Sequence, residues 1–174
     1  MDQVEKIPLF SDDLCNLAQD LLDFCFDHSC NLGTAESLTG GLIGALFTSI
    51  PGASATYAGG CVVYQTEQKH IQLYVSKHTL AHFGPVSEEC AQEMVRGVQK
   101  RLGVECALIT TGVAGPATDE FNVAVGTVYV AAAYGSHINV FNYAFDPELG
   151  REEIRLKTVS EGLSDSLAFF KSCV

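Results

Sequence analysis

The sequence predicts an α/β fold, a three-layer α/β/α sandwich built around a mixed β-sheet. Segments with helical spacing alternate along the chain with short β-rich runs, an order that places helices on both faces of a sheet. The 174 residues are 47% hydrophobic, which suits one domain with a substantial core. We therefore expect residues 1–174 to form a single domain whose core extends from about residue 10 to residue 172.

The first third of the chain begins with a helix, because apolar residues between Leu14 and Cys25 recur at spacings of three and four. A short strand is predicted at residues 30–35 and a second helix at residues 42–49. The sequence Ile50-Pro51-Gly52 ends that helix. The apolar run at residues 61–64 predicts the second strand.

The middle of the chain predicts two helices and a buried strand. A short helix covers residues 67–73, and a longer helix begins at its N-cap Ser87 and reaches about Leu102. Residues 106–111 form a continuous apolar run that predicts a strand. The irregular stretch at 114–124 follows it, and in a compact domain a long irregular stretch often forms a site loop.

The last third predicts a hairpin and a helix. The β-rich runs at 125–133 and 138–145 are separated by Tyr-Gly-Ser-His, which suits a tight turn. The final helix places one apolar stripe on its inner face, formed by Leu156, Val159, Leu163, Leu167 and Phe170.

The charge of the chain argues against a nucleic-acid partner. The formal net charge is −11, with ten basic residues scattered among 21 acidic ones. Binding to a phosphate backbone needs clustered Lys and Arg that release counterions. We therefore expect no direct contact with nucleic acid.

The N-terminus and the cysteines indicate a cytoplasmic protein. Residues 1–10 have no basic segment followed by an apolar one, and no apolar run reaches the ~18 residues that a membrane helix needs. The seven cysteines contain no C-x-x-C pair and mostly lie in apolar segments, which is typical of buried thiols in a reducing compartment. We expect no membrane contact.

His78 and His82 have the i, i+4 spacing of a zinc site on a helix. No Glu or third ligand accompanies them, so two solvated histidines are the preferred interpretation. We expect neither a metal nor a cofactor.

Thr34–Gly41 reads TAESLTGG and places Ser37 where an apolar strand turns into a helix. A nucleophile at such a junction is exposed, and the backbone N–H groups of the turn can face an oxyanion. The alternative is that Ser37 or Thr39 only caps the helix that follows.

Three further blocks follow in order. Tyr57–Lys69 reads YAGGCVVYQTEQK, Thr110–Pro116 reads TTGVAGP and Val125–Tyr129 reads VGTVY. Together with TAESLTGG they resemble the CinA C-terminal domain family, whose blocks read TAES-x-TGG, YSN-x-x-K, (S/T)G-(I/V)-AGP and KPVGTVY. The resemblance covers about residues 10 to 170.

The resemblance implies an activity and an assembly. The family comprises nicotinamide mononucleotide deamidases and their relatives, so it implies an amidohydrolase of pyridine nucleotide recycling. It also implies a homodimer or larger homo-oligomer. Longer members carry an additional N-terminal domain, and this chain would be the short form.

Hydrolysis of a carboxamide needs a nucleophile, a base and oxyanion donors. Ser37 is the candidate nucleophile, and none of the five histidines lies in a recognisable Ser-His-Asp context. The resemblance assigns the base to Lys69, which would need desolvation to lower its pKa. The alternative for Lys69 is a solvated helix residue.

Other residues are candidates for substrate binding. Tyr64 can orient the lysine or stack on a nicotinamide ring, although a tyrosine closing a strand is also ordinary packing. The TTGVAGP block supplies small residues that let a ligand approach the backbone, or it forms an ordinary turn. A phosphate could be held by helix N-terminal amides, by this loop or by Arg151. The candidate binding residues are Glu36, Thr39, Gly40, Gly41, Tyr64, Thr111, Gly112, Gly115 and Arg151.

The chain departs from the family blocks at three places. Gln65-Thr66 replaces Ser-Asn, and the loop 117–124 has Asp119 and Glu120 in place of a glycine run. Val123-Ala124 replaces Lys-Pro, which removes a cation. The last two changes both make this region more negative, so the recognition of a phosphate should be weaker than in the family. Replacing Val123 with lysine should strengthen it.

The leading hypothesis is deamidation of nicotinamide mononucleotide through a Ser37 acyl-enzyme. One alternative is an amidase for a different, uncharged amide. The other is a catalytically silent family member that acts as a binding or regulatory protein.

Overall fold

The structure, a computed structural model, describes residues 9–174. Most of the N-terminal stretch examined for a secretory signal, residues 1–8, lies outside the described residues. The helices and strands, in chain order, are α1 (Asp12–Asp27), β1 (Leu32–Glu36), α2 (Leu42–Ser49), β2 (Tyr57–Val62), α3 (Thr66–Leu73), α4 (Lys77–His82), α5 (Glu88–Leu102), β3 (Cys106–Gly112), β4 (Thr127–Tyr134), β5 (His137–Ala144) and α6 (Gly150–Ser172).

The strands form one mixed sheet in the order β2-β1-β3-β4-β5. Strand β1 pairs in parallel with β2 and β3, whereas β4 runs antiparallel to both of its neighbours. The central strands are buried on both faces, and alternate residues of β3 belong to two separate cores.

Helices cover both faces of the sheet. Helices α1, α2 and α6 pack on one face, where Leu108 belongs to the core. Helices α3, α4 and α5 pack on the other face, where Ile109 belongs to the core. The three-layer α/β/α sandwich with a mixed sheet is therefore confirmed.

Two sequence predictions were wrong in detail, and one helix was missed. Strand β2 spans Tyr57–Val62 rather than 61–64, because Gly60 allows it to pair closely with β1: a Cβ there would lie 2.1 Å from Thr34 Oγ1. Helix α4 was not predicted. Leu156 is 41% exposed, and Ile154 takes a place in the α6 core instead.

Within residues 9–174, no helix is both long and apolar enough to cross a bilayer.

Candidate active site

Ser37 follows directly after β1 and is held against the neighbouring strand. Its amide donates to the carbonyl of Thr110 (3.1 Å), and the residue is 7% exposed. Gly40 and Gly41 then adopt φ values of 62° and 100°, the left-handed region that glycine reaches without strain. This turn sends the chain into α2 and leaves Ser37 at the carboxyl end of the parallel strands.

Glu36, one residue before Ser37, caps α2. Its carboxylate accepts hydrogen bonds from the amides of Gly41 (3.0 Å), Ile43 (3.2 Å) and Gly44 (2.8 Å). A carboxylate at this position also complements the helix dipole. Capping by Ser37 or Thr39 is therefore wrong, and these three amides are not free to hold a substrate phosphate.

Two side chains support the turn. Arg155 was not predicted from the sequence, and Thr39 was predicted there as a helix cap or a binding residue. Arg155 of α6 donates from Nε to the carbonyl of Leu38 (2.9 Å) and from Nη2 to that of Thr39 (3.0 Å). The hydroxyl of Thr39 bonds that of Thr110 (2.8 Å). Arg155 lies one helical turn after Arg151, and that spacing is the signal that could have identified it.

Lys69 is buried in α3, with 2% of its surface exposed. Its Nζ donates to Thr111 Oγ1 (3.0 Å) and lies 3.9 Å from Met94 Sδ. The Thr111 hydroxyl donates in turn to the carbonyl of Pro85 (2.7 Å). Burial lowers the pKa of the Lys69 ammonium to about 8. The solvated interpretation of Lys69 is therefore wrong.

Ser37 and Lys69 line the same cavity, whose volume is about 500 Å³. Lys69 Nζ donates a hydrogen bond to Thr111. Within residues 9–174 it forms none with Ser37. The arrangement thus brings the candidate nucleophile and the candidate base to one cavity without a direct bond between them.

Arg151, near the start of α6, brings a second cation to this cavity. It donates from Nη1 to the carbonyl of Gly115 (2.8 Å) and from Nη2 to the Tyr64 hydroxyl (2.8 Å). Tyr64 lies after the end of β2 rather than in the strand, and it is 60% exposed. The tyrosine ring is therefore available to a ligand.

The predicted site residues divide into two groups. Those that line the cavity are Ser37, Tyr64, Lys69, Gly112, Gly115 and Arg151. Those that lie behind it and hold the turn or Lys69 are Glu36, Thr39, Gly40, Gly41 and Thr111.

Some of the departures from the family blocks lie at the cavity and others do not. Gln65, Thr66, Asp119 and Glu120 line the cavity. Val123 and Ala124 are not among its lining residues in the described range 9–174.

A cluster of three cysteines and a pair of histidines are not among the residues that line the cavity. The Sγ atoms of Cys25, Cys30 and Cys106 lie within 4.8 Å of one another, at the amino end of β1 and β3. Spacing along the sequence gave no sign of this cluster. Burial raises the pKa of the Cys30 thiol to about 11. The rings of His78 and His82 are tilted by 33° with their centroids 4.0 Å apart, and both residues are exposed, as the preferred interpretation expected.

Comparisons with known proteins agree with this architecture. The family model described as "CinA C-terminal domain" matches residues 15–169. The chain is 37% identical over 133 residues to a putative competence-damage inducible protein of Clostridium perfringens, covering 76% of this chain and 32% of that protein. It is 37% identical over 163 residues to one from Desulforamulus reducens, covering 94% and 39%. The chain thus spans about a third of the length of these curated relatives.

Solved structures match over nearly their whole length. The competence/damage inducible protein CihA of Agrobacterium tumefaciens superposes with a TM-score of 0.87 at 34% identity, covering 93% of this chain and 98% of that one. A CinA superfamily protein from Klebsiella pneumoniae gives 0.86 at 28% identity, covering 91% and 98%. This chain therefore belongs to the CinA C-terminal domain family.

Proposed function

We propose that this chain is an amidohydrolase that converts nicotinamide mononucleotide to nicotinate mononucleotide and ammonia. The observation that supports this most is Lys69, a buried lysine whose pKa is lowered to about 8, in the same cavity as Ser37. An amine with that pKa is partly neutral at physiological pH and can accept a proton. By resemblance to the family, we place the activity in the cytoplasm and in a homo-oligomer.

The reaction would proceed through an acyl-enzyme. Neutral Lys69 takes the proton of the Ser37 hydroxyl as Oγ attacks the carboxamide carbon, forming the C–O bond of a tetrahedral intermediate. Collapse of the intermediate breaks the C–N bond, and the Lys69 ammonium returns the proton to the leaving nitrogen, which departs as ammonia. Water then attacks the ester with Lys69 again as base, releasing the nicotinate product and Ser37.

The tetrahedral oxyanion needs a donor beside Ser37. Leu38 borders the cavity, and its amide donates to no acceptor within residues 9–174. We assign this amide as an oxyanion donor. Arg155 donates a hydrogen bond to the carbonyl of Leu38. This bond fixes the peptide group between Leu38 and Thr39 and so holds the turn in place.

A binding or regulatory role is the competing proposal. The observation that favours it is the bond from Lys69 to Thr111 instead of Ser37, which keeps the candidate base away from the nucleophile. In an enzyme of this kind the bond between Lys69 and Ser37 would form when substrate binds, as catalytic hydrogen bonds often do.

Ammonia release from a panel of amides tests the proposal. We expect the wild type to release ammonia from nicotinamide mononucleotide, and Ser37→Ala to lower kcat by about a thousandfold or more. Lys69→Met and Lys69→Arg should fail as well, because neither side chain can accept the proton.

Matched variants control for nonspecific effects. Ser160→Ala and Lys171→Met remove the same groups from exposed positions of α6 and should keep full activity. Binding of the mononucleotide without ammonia release from any amide would establish the binding role instead. Turnover confined to another amide would establish the altered amidase.

A further inference from the structure

We infer that Cys25, Cys30 and Cys106 form a binding site for trivalent arsenic, held by their three sulfur atoms as a neutral complex. The inference does not depend on the proposed function. It assigns a ligand to the thiol cluster at the amino ends of β1 and β3, the edge of the sheet opposite the Ser37 cavity.

The fold brings the three thiols together from three segments. Cys25 lies in the last turn of α1, Cys30 precedes β1, and Cys106 is the first residue of β3. The amide of Cys30 donates to the Cys25 carbonyl (2.9 Å), and the amide of Cys106 donates to the carbonyl of Asn31 (2.9 Å). These backbone bonds hold the three segments in place before any ligand binds.

The distances between the sulfur atoms suit a single central atom. All three Sγ atoms lie within 4.8 Å of one another, and those of Cys30 and Cys106 are 3.3 Å apart. Bonds of about 2.3 Å, the length of a zinc–thiolate bond, place the sulfurs of a planar three-coordinate centre about 4 Å apart. A pyramidal centre such as trivalent arsenic holds them closer. Small rotations of the side chains therefore suffice to form the site.

The cluster offers three ligands rather than four. Within residues 9–174, the group of side chains that could share an ion here consists of the three cysteines alone. Structural zinc sites take four protein ligands in tetrahedral geometry. Trivalent arsenic takes three, because its lone pair occupies the remaining position. The number of ligands therefore favours arsenic over zinc.

Charge also favours a neutral complex. Cys25 and Cys106 are fully buried and Cys30 is 6% exposed, so a net charge at this place is costly. The charged side chain that acts on Cys25 and Cys30 is Glu105, whose negative charge opposes ionisation of the thiols. Three thiolates exceed the charge of Zn²⁺ by one and that of Cu⁺ by two, but they balance trivalent arsenic.

The protonation of the thiols has the same consequence. Burial raises the pKa of the Cys30 thiol to about 11, and the neighbouring Cys25 thiol raises the pKa of Cys106. A metal cation must displace these protons to bind. Arsenous acid instead condenses with the thiols: three S–H and three As–OH bonds break, three As–S bonds form, and three water molecules leave. Neither arsenic nor sulfur changes its oxidation state, and no proton is released to solvent.

A short surface turn gives access to the cluster. Residues 26–29, which connect Cys25 to Cys30, are all exposed. Ser29 in this turn has a φ of 53°, the left-handed region that a residue with a side chain adopts only with strain. Local opening of such a turn takes less free energy than global unfolding. Opening exposes Cys30 first, and the other two sulfurs bind arsenic as the turn closes.

Thermal unfolding with sodium arsenite and a phosphine reductant tests the site. We expect one arsenic per chain, and a Tm higher by about 5–10 °C when free arsenite is about a hundredfold above its dissociation constant. Cys25→Ala, Cys30→Ala and Cys106→Ala should each lose that rise. Cys90→Ala is the matched control, since it removes a buried thiol from the other core, and it should keep the rise.

Two measurements on the wild type do not depend on whether the variants fold. X-ray absorption should show three sulfur neighbours around arsenic, which this cluster supplies within residues 9–174. The affinity for arsenite should stay within about twofold between about pH 6.5 and 8, because no proton is released, whereas the affinity for Zn²⁺ should rise with pH.

The inference is wrong if the wild type shows no rise in Tm or if arsenic has fewer than three sulfur neighbours. An equal loss of the rise in Cys90→Ala and in the cluster variants would also overturn it, because arsenic would then act elsewhere. Tighter binding of Zn²⁺ than of arsenite by the same three thiols would contradict the argument from charge and ligand number.

Discussion

Lys69 is the residue whose burial has the largest predictable consequence. A charged ammonium loses its hydration free energy when it is buried. The hydrogen bond to the neutral Thr111 Oγ1 compensates for only part of that loss. The protein therefore holds Lys69 with a pKa of about 8, against 10.5 for the free side chain. Deprotonation relieves this cost, so the same burial that activates the base also makes stability depend on pH.

The pH dependence of unfolding tests this residue independently of any substrate. Between pH 8 and 10.5 the unfolded chain binds a proton at Lys69 that the folded chain has released, so stability rises with pH. We expect the free energy of unfolding of the wild type to rise, relative to Lys69→Met, by about 3 kcal/mol between pH 7 and 10.5.

Urea unfolding of both proteins at several pH values measures that difference, and titration of other groups cancels in the comparison. Lys171→Met, at an exposed position, should track the wild type. A constant difference between wild type and Lys69→Met over this range would show that Lys69 keeps an ordinary pKa.

At the scale of elements, the Ser37 turn is held from two sides by opposite charges. The Glu36 carboxylate accepts hydrogen bonds from amides of α2, and the Arg155 guanidinium donates to the carbonyls of Leu38 and Thr39. Helix α6 thus contributes to the turn although it lies more than 100 residues later in the chain. The position of Ser37 depends on how α6 packs.

Arg155→Met should impair catalysis more than folding. The loss of two charge-assisted hydrogen bonds should cost about 2 kcal/mol of stability, while a displaced turn should lower kcat about tenfold to a hundredfold. Lys157→Met, two residues along α6 and 41% exposed, should change neither. Ammonia release and urea unfolding give the two values, and an unchanged kcat in Arg155→Met would show that the turn holds its position without α6.

Sequence reasoning succeeded for elements whose signal is local. The N-cap Ser87 was read correctly, since its hydroxyl accepts from Cys90 as a capping motif predicts. Strand β2 was misplaced because Gly59 and Gly60 contribute nothing to a pattern of alternating apolar and polar side chains. The absence of a side chain at Gly60 is what lets β1 lie close to it. The cap formed by Glu36 was missed for a related reason: it depends on the left-handed turn at Gly41, a tertiary detail that residue type alone does not fix.

For the molecule as a whole, the topology separates two clusters of reactive side chains. Ser37, Lys69 and Arg151 meet beyond the carboxyl ends of the parallel strands, the edge where α/β folds usually bind ligands. The three clustered cysteines lie at the amino ends of β1 and β3. The thiols are therefore at the opposite edge of the sheet from the candidate site.

The whole-molecule charge predicts that this chain does not bind nucleic acid. The 21 acidic residues outnumber the ten basic ones, and two of the basic ones, Arg151 and Arg155, are engaged at the candidate site. With so few basic residues there are few counterions to release, so low salt should not promote binding. Fluorescence anisotropy of labelled single-stranded and duplex DNA should stay flat as this protein is added at low ionic strength, while a basic DNA-binding protein gives saturation. A rise in anisotropy that disappears with added salt would contradict this prediction, because it would require phosphate contacts that the charge of this chain does not provide.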